Sequence, residues 1–531
     1  MKLKLLSVAL ASVLSAGTAA VAQAQTPDAF PAPASTKATW FAAGKAAVEK
    51  NAAIQRNSGR AKNVILFIGD GMGISTVTAA RILAAQQPNI IDPNNTAPAS
   101  SGEENALSFE KFSYLALSKT YSVNQQTSDS APTMTAMVTG VKTNDGVLSV
   151  DETLARGDCS ANIGKTKLKT MLEIAEAAGK ATGLVSTARL THATPAATFA
   201  HTPERNWESD ANQPTGCAVP DIARQFVEFS VGDGIDVAFS GGREYFRPNT
   251  VTDPEYSSKF GRRKDGRDLT AEWTTKYQDG AFVWNKAQFD AIDPASANHV
   301  LGLFEPSMMQ YEADRPNDLA GEPSLAEMSE KAINILQKNP KGFFLHIEAG
   351  RIDHGHHAGN AYRALTDTIA LSDAVKKTIE VLTASGEIDN TLIIVSADHS
   401  HTFTIGGYPQ RGNNILGKVI EPGKTTPTLA YDKAPYTTLN YANGFGYQTG
   451  AAGDNVYNLA LYQPRGGRVA DMTNIDTTDA NFHQEAAVPL TSESHAGEDV
   501  AIYAMGPGAH LFQGVMEQNT IFHVMNRKMT R

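Results

Sequence analysis

Five short apolar runs stand out along the chain: NVILFIGDG (63–71), ATGLVST (181–187), IDVAFSGG (235–242), GFFLHIEAG (342–350) and TLIIVSADHS (391–400). Most are near-continuous in Val, Ile, Leu and Phe rather than alternating, as strands covered on both faces are. Between them LKTMLEIAEAAG (168–179) and RALTDTIALSDAVKKTIEVLTASG (363–386) predict helices, each closed by a glycine. In the second, Leu365, Ile369, Val375, Ile379 and Leu382 keep helical spacing on one face. A further amphipathic helix is expected over TWFAAGKAAVEKNAAIQRN (39–57), ahead of the main domain. Strands alternating with helices in this way predict a largely parallel, doubly wound α/β sheet. From about 406 to 488 the rhythm breaks. That stretch is dense in Gly, Asn, Tyr, Thr and Pro and reads as short strands and loops inserted into the main fold.

The 531 residues, 41% hydrophobic and 19% charged, allow two or three domains, or one large sheet with insertions. The start changes the picture more. Lys2 and Lys4, an apolar stretch and Ala22-Gln23-Ala24 form a signal peptide over 1–24, leaving 25–531 as an exported, periplasmic or secreted protein. The linker TPDAFPAPAST follows, no other run is long and apolar enough to span a bilayer, and the polar tail carries no lipid-anchor signal. Two cysteines in an oxidising compartment suggest one disulfide, with two free buried thiols as the alternative that spacing does not exclude. A formal charge of −10 with no basic stripe argues against nucleic acid as a structural partner. An anionic substrate would then need a local positive focus, which metals supply.

The chemistry gathers where the strands end. NVILFIGD ends at Asp70; GFFLHIE ends at Glu348, with Asp353, His354 and His357 beyond it in EAGRIDHGHH; TLIIVSADHSH ends at Asp398, His399 and His401; and ATGLVSTARLTHAT leads to His192 and Thr194. One such residue is ordinarily a cap or a loop histidine. Four groups at the same edge of one sheet repel unless a cation joins them. Carboxylates mixed with imidazoles suit zinc, and an oxygen-rich subset with a hydroxyl suits magnesium. The GDGMG turn is a poor dinucleotide motif, since its spacing is wrong and Asp70 would repel a pyrophosphate. In QTSDSAPTMTAMVTG, Ser130 opens an Ala- and Met-rich helix with Pro132 in the first turn. It is either a plain N-cap or a nucleophile deprotonated with the help of a metal.

Together NVILFIGDGMG, TSDSAPTMTAMVTGVKTNDG, HATPAATFAHTPERNW, GFFLHIEAGRIDHGHH, SADHSHTFTIGGYP and TSESHAGEDVAIYAMGP resemble alkaline phosphatases, nearer the animal-type branch than the enterobacterial one, from about residue 40 to about 525. The resemblance implies a three-layer α/β/α sandwich around a ten-stranded sheet, two zincs and one magnesium. It places Asp353, His357 and His495 on the first zinc, and Asp70, Asp398 and His399 on the second, with the Ser130 oxygen approaching. Asp70, Thr194 and Glu348 fall on magnesium; the branch usually has serine where Thr194 stands, and either hydroxyl can ligate. Arg205 of PERNW would grip phosphate in a bidentate fork. His192, His354 and His401 would orient ligands or substrate. The resemblance also implies a Cys159–Cys217 disulfide, a crown-like insertion at 406–488 and a homodimer. It implies a calcium site as well, to which Glu255, Phe304, Glu305 and Glu322 correspond, Glu322 standing near where the family has aspartate.

The activity implied is hydrolysis of small phosphate monoesters through a phosphoserine on Ser130. A phosphodiesterase or sulfatase is the enzymatic rival on such a scaffold, and serine in place of threonine or a modified cysteine favours the monoesterase. An exported metal- or phosphate-binding protein is the non-enzymatic rival. The pairing of a nucleophile with an arginine speaks against it.

Overall fold

The computed structural model describes residues 27–159, 163–447, 464–468 and 472–530. The expected signal peptide therefore lies outside the described residues. The five apolar runs all form strands of one ten-stranded sheet. From one edge the order is β15 (Val515–Glu517), β2 (Tyr114–Lys119), β14 (Val500–Met505), β8 (Thr391–Ala397) and β1 (Asn63–Gly69). It continues through β7 (Phe343–Ala349), β3 (Ala181–Arg189), β4 (Val237–Gly241), β6 (Val300–Leu303) and β5 (Ala281–Val283). Two small sheets complete the set: β10 (Phe403–Ile405), β11 (Leu439–Gly444) and β12 (Ala486–Pro489), and the two-residue pair of β9 (Ser400–His401) with β13 (His495–Ala496).

Every residue of β1, β7 and β8 is buried, which is why these runs carry no polar alternation. Neighbours in the large sheet run parallel except β14, which lies antiparallel to both β2 and β8. Helices cover both faces. Met134, Met137, Met171, Leu172, Ile222 and Met525 pack on one side. Val77, Leu83, Met328, Ile333, Leu365 and Val375 pack on the other.

The long helix spans Ala361–Ala384 and buries Leu365, Ile369, Val375 and Leu382, while Ile379 is only partly covered. Asn360 caps it by accepting from the Arg363 amide. The helix Met171–Ala177 has a Thr170/Glu173 capping box and ends at Gly179, whose φ of +70° suits glycine. The N-terminal helix, Lys37–Ala52, departs from expectation. None of its residues is buried, and Trp40, Phe41 and Val48 are exposed, because its apolar positions do not gather on one face.

The described residues of the 406–488 segment are loop-rich but anchored. Ile415, Leu416, Leu439, Tyr441 and Ala486 join the core on one face of the sheet, and Tyr447, Met472 and Phe482 form a small core of their own. Cys159 and Cys217 are disulfide-linked, their Cα atoms 4.9 Å apart. Closing a loop of 58 residues stabilises by about 4 kcal/mol on the chain-entropy model. No helix among the described residues is long and apolar enough to cross a membrane.

Candidate metal centre and nucleophile

Strand register sets the site. Gly69 of β1 pairs with Ala349 on one side and Ala397 on the other, so the residues just beyond, Asp70, Gly350 and Asp398, leave the sheet level with one another. Glu348 pairs with Ile68 and with Ser186 of β3, whose hydroxyl it accepts. Parallel strands thus deliver several carboxylates to one carboxyl edge.

Three groups of ligand-capable atoms converge there. In the first, Asp353 Oδ1 lies 3.3 Å from both His357 Nε2 and His495 Nε2, and those two nitrogens are 3.1 Å apart. His357 Nδ1 donates to the Glu493 carbonyl at 2.6 Å and His495 Nδ1 to the Ser128 carbonyl at 2.7 Å. With their Nδ1 protons so engaged, the neutral rings turn lone pairs toward one another and toward a carboxylate. That arrangement needs a cation between them.

In the second group, His399 Nε2 is 3.4 Å from Asp70 Oδ1 and 3.3 Å from Asp398 Oδ2. Asp398 Oδ1 takes the amides of Gly71 and His399, which leaves Oδ2 with no donor. The third group joins Asp70, His192 and Glu348. There Asp70 Oδ2, Glu348 Oε1 and Thr194 Oγ1 are buried without a hydrogen-bond partner among the described residues. Polar atoms are rarely buried unmet, so these atoms fit metal ligands.

Electrostatics agree. Burial, compounded by Asp398, Asp353 and Glu348, raises Asp70 well above the ordinary carboxylate range. Burial, with Asp398 adding to it, pushes Glu348 up to about 7. Burial and the neighbouring His495 hold His399 well below its usual value, which keeps the imidazole neutral and able to ligate. Burial raises Asp353 too, but His357, His401 and His495 outweigh it and hold its carboxyl well below the usual range.

Ser130 is the first residue of the wholly buried helix Ser130–Thr139. It is not the cap; Asp129 occupies that position without a side-chain bond to the helix. The Ser130 hydroxyl lies 3.4 Å from Asp70 Oδ1 and 3.3 Å from His399 Nε2, against the second group. Arg205 reaches the same place, donating to Asp129 Oδ2 at 3.2 Å and to His192 Nε2 at 3.2 Å. Because arginine cannot accept, neutral His192 carries its proton on Nδ1, the atom that has no partner. That makes His192 a donor toward the third group rather than a ligand. His354 stands 5.6 Å from the His192 ring and bonds the Gly350 carbonyl through Nδ1, outside all three groups.

His401, expected to orient ligands, stands directly against Asp353. Its Nε2 is 2.8 Å from Asp353 Oδ1, which places it within the first group. Gly71, at φ +68°, makes room for that ring, since a Cβ there would lie 2.3 Å from His401 Nε2. Sequence reasoning missed Glu493, which holds His401 and His357, and Asp129, which holds Arg205. Their only signal was adjacency to His495 and Ser130.

A fourth cluster sits apart. Glu255, Glu305 and Asp318 bring carboxylates together, Asp318 being a member that sequence reasoning did not name. Glu322 lies beside it. Its Oε1 accepts the Gln310 amide, while its Oε2 and both Asp318 oxygens meet no donor among the described residues. Burial, together with Asp318 and Glu255, pushes Glu305 up to about 8. The Phe304 ring packs on Phe239 and Phe289, so only its carbonyl is free for a ligand role.

A model of the family described as alkaline phosphatase matches residues 61–530. The human tissue-nonspecific alkaline phosphatase isozyme is 43% identical over 481 residues, covering 88% of this chain and 84% of that protein. The alkaline phosphatase of Gadus morhua is 41% identical over 483 residues, covering 88% and 92%. Among solved structures, the Thermus thermophilus alkaline phosphatase superposes with a TM-score of 0.60 at 24% identity, covering 89% of this chain and 92% of that one. The enzyme from the Antarctic bacterium TAB5 gives 0.56 at 22%, covering 90% and 99%. At such identities the structural likeness speaks for the fold. With the family model and the relatives above 40% identity, it leads to one conclusion: the chain belongs to the alkaline phosphatase family of metal-dependent phosphoric monoester hydrolases.

Proposed function

We propose that Ser130 is the nucleophile of a two-step phosphate monoester hydrolysis carried out at the carboxyl edge of the sheet. The observation that carries this is the placement of one buried hydroxyl at 3.3–3.4 Å from His399 and Asp70, with the Arg205 guanidinium nearby. Asp353, His357 and His495 would hold one zinc, and Asp70, Asp398 and His399 a second, because imidazoles mixed with carboxylates suit that ion. Asp70, Glu348 and Thr194 offer only oxygens and would hold magnesium, with His192 donating from outside. Bound there, the cations lower the pKa of hydroxyls beside them and offset charge on the phosphoryl oxygens.

The Ser130 oxygen attacks phosphorus. A bond from Oγ to phosphorus forms, the bond to the alcohol oxygen breaks, and the alcohol leaves carrying a proton. Water then cleaves the serine phosphate, restoring the hydroxyl and releasing inorganic phosphate. Arg205, aligned by Asp129 and His192, holds two equatorial oxygens through both stages. Few groups remain to read the leaving alcohol, so broad monoester specificity follows.

The fourth cluster would take calcium through Glu255, Glu305 and Asp318, with Glu322 and the Phe304 carbonyl beside it, since calcium accepts many oxygens in variable geometry. The chain would act outside the cytoplasm, in the periplasm or beyond, as its disulfide and amino-terminal segment favour. It would act as a homodimer joined near residues 406–488. Tyr408, Leu429 and Tyr431 on that segment are exposed apolar residues in search of a partner surface.

The defining experiment is aryl phosphate hydrolysis with and without a chelator, combined with acid trapping of labelled phosphate. Chelation should abolish turnover and zinc with magnesium restore it. Ser130→Ala should lower kcat by about three orders of magnitude or more and abolish trapping, with metal content unchanged. Label trapped on that variant at wild-type level would refute the assignment. Arg205→Ala should weaken inhibition by phosphate about 10- to 100-fold, the worth of one charged contact, and an unchanged inhibition constant removes its role. Calcium at a hundredfold excess over its Kd should stabilise the wild type by about 3 kcal/mol, seen as a higher Tm, and Glu305→Ala should lose that response. A Tm indifferent to calcium in both proteins sinks the fourth site. Light scattering at micromolar concentration should give twice the mass of one chain. A fully active monomer contradicts the dimer.

A further inference from the structure

Glu493 touches the first cation group through both its main chain and its side chain. Its amide donates to the His357 carbonyl at 3.0 Å, and its carbonyl accepts His357 Nδ1 at 2.6 Å. Its side chain is fully buried. There Oε2 accepts His401 Nδ1 at 2.5 Å, and Oε1 accepts the Thr402 amide at 2.7 Å and the Thr402 hydroxyl at 2.6 Å. His401 in turn presents Nε2 to Asp353 Oδ1 at 2.8 Å. One residue therefore reaches two ligands of the group by separate routes, its main chain to His357 and its carboxylate through His401 to Asp353.

A carboxylate so thoroughly buried is costly unless it is hydrogen-bonded, and here three donors meet it. His401 is held between two carboxylates and cannot rotate without breaking a bond at one of them. Asp353 is thereby restrained with Oδ1 toward His357 and His495. Outer-shell carboxylates behind histidines at metal sites are worth about 10- to 100-fold in affinity.

We propose that Glu493 is a positioning residue for the first cation site, locking His357 through its main chain and Asp353 through His401. The proposal rests on the reading of Asp353, His357 and His495 as zinc ligands.

Zinc and cobalt are the probes, with the full-length exported chain. Equilibrium titration against a competing chelator should show two tight zinc sites in the wild type. Glu493→Gln keeps the shape of the side chain but cannot accept from both His401 and Thr402 as before. It should weaken one site about 10- to 100-fold and leave the other unchanged. The visible spectrum of cobalt at the weakened site should shift, a change that a merely structural defect remote from the ion would not cause. Because Glu493 acts through His401, adding Glu493→Gln to His401→Asn should cost little more than His401→Asn alone. If Glu493→Gln does not fold, Thr402→Val, which removes one donor to Oε1, should weaken the same site in smaller measure. Wild-type zinc affinity and cobalt spectrum in Glu493→Gln, or fully additive losses in the double variant, would overturn Glu493's role while the metal reading stands. A wild-type chain that takes up no zinc overturns both.

Discussion

The repulsion among buried carboxylates at one sheet edge is the constraint on which the rest of the structure depends. Asp70, Glu348, Asp353 and Asp398 are all buried, and register alone sets Asp70 level with Asp398 and Glu348 two residues behind them. Two like charges about 4 Å apart cost about 4 kcal/mol at an effective dielectric of 20. Several such pairs would rival the whole net stability of a folded domain, about 5–15 kcal/mol. Among the described residues, Arg205 offsets part of this charge at Asp70, and His401 does so at Asp353. Cations resolve the conflict, and the protein is then shaped to hold them.

The donor sets divide the work. Where imidazoles dominate, around Asp353, the rings are fixed in one tautomer by backbone carbonyls, so ligand geometry is built into the main chain. Where oxygens dominate, around Glu348, a hydroxyl and a shared carboxylate do the holding. Asp70 belongs to both the second and third groups, which couples their occupancy electrostatically. The same residue accepts the Ser130 hydroxyl at 3.4 Å, so the charge state of that corner bears directly on the proposed nucleophile.

What the sequence made legible follows from this physics. Strands buried on both faces announce themselves as unbroken apolar runs, and β1, β7 and β8 were plain for that reason. β2 was not, since it alternates covered and open positions near the sheet edge, and β14 is short and antiparallel beside parallel neighbours. Ligand-capable residues at the ends of obvious strands were equally plain. Asp318 and Glu493 were hidden because each lies in a loop among other acidic residues, where a carboxylate ordinarily faces water. The helix Lys37–Ala52 shows the opposite failure, an apolar composition without an apolar face. Composition is visible in a sequence; which way a side chain turns in a loop is not.

The loop problem has a mechanistic side. His495 arrives from beyond the long insertion, and the backbone bonds that tie its segment to the strand ends are few: the two-residue ladder of β13 with β9, His495 against His401, and the Glu493 amide on the His357 carbonyl. Two residues of antiparallel pairing hold nothing by themselves in water. The side chains must do it: His495 through Ser128, Glu493 through His401 and Thr402, and His357 through Glu493. Every one of these bonds ends at, or one step from, the first cation group. Filling that group would therefore stitch the return of the insertion to the sheet, and the ion that supports the chemistry would also complete the local fold.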